Sequence, residues 1–171
     1  MQNVIVFDID GVLCDSNKRQ ASISHNEMVL DYQLLKEYHS KSYDEDEVIE
    51  NGLFLYLSFK NVYKILFLTA RNRNLSMDKT LYWLQSNIDE DINTKQIYMG
   101  PNTDLENTNE YQDITDSTKY KRENIKLIKE QYNIVLAIDD SIDNYKMFQE
   151  EKIAALLFSD PNIKGLYKWI F

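Results

Sequence analysis

Residues 4–11 read VIVFDIDG, and no other stretch restricts the chain as much. Val4, Ile5, Val6 and Phe7 are all β-branched or aromatic, as expected of a strand buried on both faces within a parallel sheet. The run stops on Asp8-Ile9-Asp10-Gly11. Side chains alternate along a strand, so Asp8 and Asp10 are expected on one side and Ile9 on the other. Two carboxylates at the mouth of a buried strand repel each other and resist desolvation, unless a cation or a shared proton offsets them. Gly11 then frees the backbone for a sharp turn.

Two further apolar runs end in the same manner. Lys64–Leu68 (KILFL) stops on Thr69-Ala70-Arg71, and Ile134–Ile138 (IVLAI) stops on Asp139-Asp140. Between and after them the spacing predicts helices over about 22–38, 46–59, 76–88, 120–132, 142–150 and 163–170, and shorter strands over 96–99 and 153–158. Gly52 stands as a weak spot in the second of these helices. Residues 12–19 read as a polar loop, 40–46 as a charged break, and 102–118, rich in Asn, Asp and Thr, as an exposed loop. There is no internal repeat and no linker. Strands alternating with helices imply βαβ units with right-handed crossovers. The fold class is therefore α/β: a Rossmann-like, mostly parallel sheet with helices on both faces. In such sheets ligands sit outside the carboxyl ends of the strands, so three loaded strand ends are expected at one edge.

Composition narrows the chemistry. A chain of 171 residues has a single-domain length. Cys14 is the only cysteine, and His25 and His39 are the only histidines, so any metal should be hard and oxygen-bound. A net charge of −9 argues against an extended nucleic-acid-binding surface, though not against a local basic rim that holds one phosphate. No apolar run approaches a membrane span and no leader precedes Val4, so a cytoplasmic protein is expected.

Four carboxylates in one mouth call for a divalent cation, and oxygen-only ligation favours Mg²⁺, the usual partner of a transferring phosphoryl group. Asp8 can act as a nucleophile through an aspartyl-phosphate. Asp10 can protonate the leaving oxygen and then take a proton from water. The Thr69 hydroxyl and nearby backbone amides, such as that of Ala70, can donate to phosphate oxygens. A lysine should offset the charge; Lys121 is the best placed, with Lys119 as an alternative.

FDIDG, FLTAR, a helix-opening lysine and AIDD resemble the four motifs of the haloacid dehalogenase-like phosphohydrolases, over Val4 to about Phe158. Within that superfamily VIVFDIDGVLCDSNKR, ILFLTARNR and YNIVLAIDDSIDNYKMF are most similar to the phosphatase domain of phage-type polynucleotide kinases, which removes 3′-phosphates from nucleic-acid ends. The resemblance implies Asp8 as nucleophile, Asp10 as general acid/base, and Thr69 and Lys121 as phosphate ligands. It implies Mg²⁺ held by Asp8, the Asp10 carbonyl and Asp140, with Asp139 close by, and Arg19 and Arg71 touching substrate. It also implies one phosphatase domain over residues 1–171 with a small helical cap insert at about 16–45. Val12 follows Gly11 where Thr is common in that family, and no GxxxxGK[ST] loop for a kinase is present.

The expected activity is therefore Mg²⁺-dependent phosphomonoester hydrolysis on a nucleic-acid 3′-end or a nucleotide. A phosphatase of free nucleotides or another small phosphometabolite is the alternative, and a non-catalytic binding module on the same fold is a third reading. Plainer roles are weighed beside these. Asp139 and Asp140 can cap the following helix, Arg19 and Arg71 can pair with acidic neighbours, and the acidic run 44–50 reads as a solvated helix start.

Overall fold

The structure, a computed structural model, describes residues 1–18, 43, 45–100 and 117–158. Its frame is a five-stranded, all-parallel sheet. The strands are β1 (Gln2–Phe7), β4 (Lys64–Thr69), β5 (Ile97–Met99), β6 (Tyr132–Asp139) and β7 (Ala155–Leu157), in the spatial order β5-β4-β1-β6-β7. The first strand is thus central. The three strands with chemically loaded ends, β1, β4 and β6, lie side by side.

Alternation along β1 decides what each residue meets. Val4 and Val6 join a core on one face with Leu66, Leu68 and Ala137, covered by Ile125 and Ile128 of α3 (Ser117–Gln131) and by Met147 and Phe148 of α4 (Ile142–Glu150). Ile5 and Phe7 join the opposite core with Ile65 and Phe67. That face is covered by Leu55 and Tyr56 of α1 (Glu50–Phe59) and by Trp83 and Leu84 of α2 (Arg73–Asn87). The four residues Val4–Phe7 are at most 1% exposed. At roughly 25 cal/mol per Å² of apolar surface, burying each contributes about 1.5–3 kcal/mol.

The pairing of β1 with β6 steps by one residue. Val4 lies opposite Ile134, but Ile5 lies opposite Leu136, so Val135 has no counterpart. Two successive residues, Val135 and Leu136, consequently pack against the same core, and alternation resumes at Ala137.

Several local features depart from the sequence reading. Cys14–Asp15 (β2) pairs antiparallel with Glu47–Val48 (β3), where a polar loop and a helix start were expected. Helix α1 accordingly begins at Glu50. The acidic run before it is not uniformly solvated, because Asp46 is buried. Helix α2 begins earlier than expected, capped by Asn72, whose side chain accepts from the Leu75 N–H. Gly52 has a steric reason: a Cβ there would lie 1.8 Å from the Val12 carbonyl oxygen. The expected helices over 22–38 and 163–170, most of the 102–118 loop, and most of the cap insert fall outside the described residues. Among the described residues no helix is long and apolar enough to cross a membrane.

Candidate active site

A cavity of about 480 Å³ opens at the carboxyl ends of β1, β4 and β6 and is lined by Asp8, Asp10, Gly11, Thr69, Ala70, Lys121 and Asp140, among others. The residues expected at this mouth therefore meet, except Arg19, which lies outside the described residues, and Asp139 and Arg71, which stand behind the wall.

Sheet parity explains the deepest contact. Asp8 continues the side of β1 that carries Val4 and Val6, which is the side covered by α3. On α3, Lys121 is spaced four and seven residues before Ile125 and Ile128, so it shares their buried stripe. Its ammonium lies 2.6 Å from Asp8 Oδ2 and 2.8 Å from Asp139 Oδ2. Burial alone would depress the Lys121 ammonium, but the attraction of the two carboxylates overcomes it and holds the group protonated above its usual range. Lys119 is off this stripe and exposed, so Lys121 is the lysine the fold delivers to Asp8.

Asp139 is fully engaged. One oxygen accepts from Lys121, and the other accepts from the Ser141 N–H and the Asn144 side-chain amide, at 2.8, 3.0 and 3.0 Å. It orients the lysine and the turn into α4, while Ser141 serves as that helix's N-cap. Asp140 faces the cavity. Its carboxylate presses against Gly11, whose φ of +81° belongs to the left-handed region that glycine adopts without strain.

Asp8 and Asp10 both line the cavity, but their side-chain partners differ. The backbone turns immediately after Ile9, whose carbonyl accepts from the N–H groups of Leu13 and Cys14. Asp10 swings instead to Arg71. The guanidinium donates from Nε and Nη2 to both oxygens of Asp10, at 2.8 and 2.7 Å, and from Nη1 to the Thr80 hydroxyl at 3.3 Å. With its side chain 3% exposed, Arg71 stands behind the cavity wall in contact with Asp10. Thr69 remains at the mouth. Its hydroxyl oxygen accepts from the Arg71 N–H, which leaves its own proton to donate.

The acids thus divide into two groups, each beside a buried cation. Carboxylate oxygens of Asp8, Asp139 and Asp140 lie within 4.8 Å of one another, and Lys121 pairs with the first two acids. Burial pushes the Asp8 carboxyl well up and, together with neighbouring Asp139, raises Asp140. With Asp139 taken up by its own partners, Asp8 and Asp140 turn hard oxygen donors to the cavity, and such donors fit Mg²⁺. The other acidic group, Asp10 and Asp46 beside Cys14, already surrounds a guanidinium. Sequence reasoning missed Asp46 as a member of the site. Its signal is weak, because an acid in a run of acids usually faces water.

No protein-family model and no curated protein matches the sequence. Solved structures do match. A chain of the Pnkp1/Rnl/Hen1 RNA repair complex superposes with a TM-score of 0.63 at 18% identity, covering 91% of this chain and 42% of that one. A haloacid dehalogenase-like family hydrolase from Streptococcus pneumoniae gives 0.61 at 13% identity, covering 89% and 82%. A predicted hydrolase of the same type from Porphyromonas gingivalis gives 0.52 at 12% identity, covering 99% and 98%. The fold is that of the haloacid dehalogenase-like hydrolases.

Proposed function

We propose that this chain is a Mg²⁺-dependent phosphomonoesterase that works through an aspartyl-phosphate and removes 3′-phosphates from nucleic-acid ends or nucleotides. The observation that carries the reading is the placement of Asp8 at the floor of an open cavity, with a buried lysine on one of its oxygens and a threonine hydroxyl on the neighbouring strand. Likeness to a chain from an RNA repair complex supports the nucleic-acid end as substrate.

In this reading a phosphate enters between Thr69 and Lys121. An Asp8 oxygen attacks phosphorus and the ester P–O bond breaks. The departing oxygen takes a proton from the Asp10 carboxyl and leaves as an alcohol. A water then attacks the phosphorus of the aspartyl-phosphate, gives its proton to Asp10, and releases inorganic phosphate with Asp8 restored. Lys121 holds positive charge against the phosphoryl oxygens throughout, and Asp139 keeps the lysine aimed. Mg²⁺, held by Asp8, Asp140 and, as the resemblance implies, the Asp10 carbonyl, would supply further charge to the same oxygens.

The overall negative charge favours a second reading, a phosphatase of mononucleotides or other small phosphometabolites. Purified protein with Mg²⁺ is assayed for phosphate release from a 3′-phosphorylated oligonucleotide, its 5′-phosphorylated counterpart and mononucleotides, with Asp8→Asn as control. Faster release from the 3′-end, abolished in the control, is expected. Preference for mononucleotides would select the second reading. Failure on every phosphomonoester would leave a binding module.

A further inference from the structure

Arg71 is shared between two carboxylates. Its Nη2 donates to Asp10 Oδ1 at 2.7 Å and to Cys14 Sγ at 3.3 Å, and lies 3.6 Å from Asp46 Oδ2. Its Cζ stands 4.4 Å from the Tyr43 ring centre, so the guanidinium is packed on its face as well as gripped at its edges. Asp46 is fully buried, and it is held in place. Its own N–H donates to the Tyr43 carbonyl, its carbonyl accepts from the Trp83 indole at 3.2 Å, and its Oδ2 accepts from the Cys14 thiol at 3.2 Å. Asp10, by contrast, is 28% exposed and faces the cavity.

This arrangement presents a mechanical problem. To deliver a proton to a leaving oxygen, Asp10 must give up at least one arm of the guanidinium fork, take up a proton from water in the cavity and turn to the ester. A buried guanidinium that loses its carboxylate without replacement is strongly destabilised. Asp46 is placed to take over Nη2 as Asp10 leaves it. We propose that Asp46 is a positioning residue for the phosphatase reaction: it retains Arg71 as Asp10 turns, and so lowers the cost of bringing the general acid to the leaving group. The inference rests on the phosphatase reading and extends it to the residue just before β3. Cys14 of β2 and Asp46, next to β3, thereby meet at the same Nη2 of the arginine.

The test separates positioning from folding by the leaving group. A p-nitrophenolate departs without protonation, whereas the alkoxide of a nucleoside 3′-phosphate needs the proton. For both esters kcat/KM reports the step that forms the aspartyl-phosphate. In Asp46→Asn, which keeps the shape and removes the charge, kcat/KM for the alkyl ester should fall at least about tenfold more than for the aryl ester. Asp46→Ser, smaller and able to admit a water against the arginine, carries the same expectation should the first variant not fold. Equal losses on both esters, or no loss on either, overturn the positioning role while the wild-type activity stands. A wild type inactive on both esters overturns the phosphatase reading, and this inference with it.

Discussion

The Gly11 Cα faces the Asp140 carboxylate so closely that a Cβ would fall 2.0 Å from Oδ2. The turn after β1 and the end of β6 are thus fitted to each other through the absence of a side chain. Gly11→Ala should push Asp140 aside and strain a backbone held at φ +81°. The expected result is a stability loss of about 1–3 kcal/mol and an apparent Mg²⁺ affinity about tenfold weaker. Thermal unfolding without metal and a Mg²⁺ titration of phosphate release check the two effects separately.

Lys121 holds Asp8 and Asp139 together, so Lys121→Met leaves two buried carboxylates facing each other. Removing one partner of such a buried group costs about 3–5 kcal/mol. Added Mg²⁺ should recover part of this, raising the melting temperature of the variant more than that of the wild type. An unchanged melting temperature in the absence of metal would show that the lysine is not buried against these acids.

Asp10→Asn keeps a polar group in the fork of Arg71 but has no proton to give. For an alkyl phosphate, kcat/KM should fall by about 10²-fold or more, and for p-nitrophenyl phosphate by much less. Parallel assays on the two esters measure the difference, and a loss confined to the aryl ester would contradict the acid role.

Gly52→Ala pits two effects against each other. Alanine favours a helix interior by about 1 kcal/mol over glycine. Here, however, the added carbon would meet the Val12 carbonyl oxygen at 1.8 Å, and a rigid backbone cannot yield as a side-chain tip can. The clash should win, lowering stability by about 2 kcal/mol or more. Denaturant unfolding gives the sign directly.

The strand ends FDIDG, FLTAR and AIDD carried the architecture, because an apolar run that stops on acids or Thr-Ala-Arg marks both a buried strand and the edge where it emerges. Adjacency of β1, β4 and β6 then brings those ends together. The assignment of each acid to its cation was not legible. That depends on where regular alternation stops: Asp8 still obeys the parity of β1, whereas Asp10 lies beyond the turn at Ile9 and goes to Arg71. Lys121 could have been separated from Lys119 by its place on the stripe with Ile125 and Ile128. Asp46 could not have been found so simply, since it is buried against Cys14 and Arg71, both far from it in sequence.

The unmatched residue Val135 gives β6 a spare link that β1 lacks. Loss of any one residue between Val135 and Ala137 can be absorbed by drawing that slack flat, and Asp139 still arrives in step beside Asp8. The same loss between Val4 and Phe7 has nothing to absorb it, and would rotate Asp8 away from Lys121 towards the opposite layer of helices. A matched pair of single-residue deletions, one in each strand, should therefore yield one folded protein and one ruined catalyst. Length tolerance in this molecule is unequal between two neighbouring strands that look interchangeable in composition.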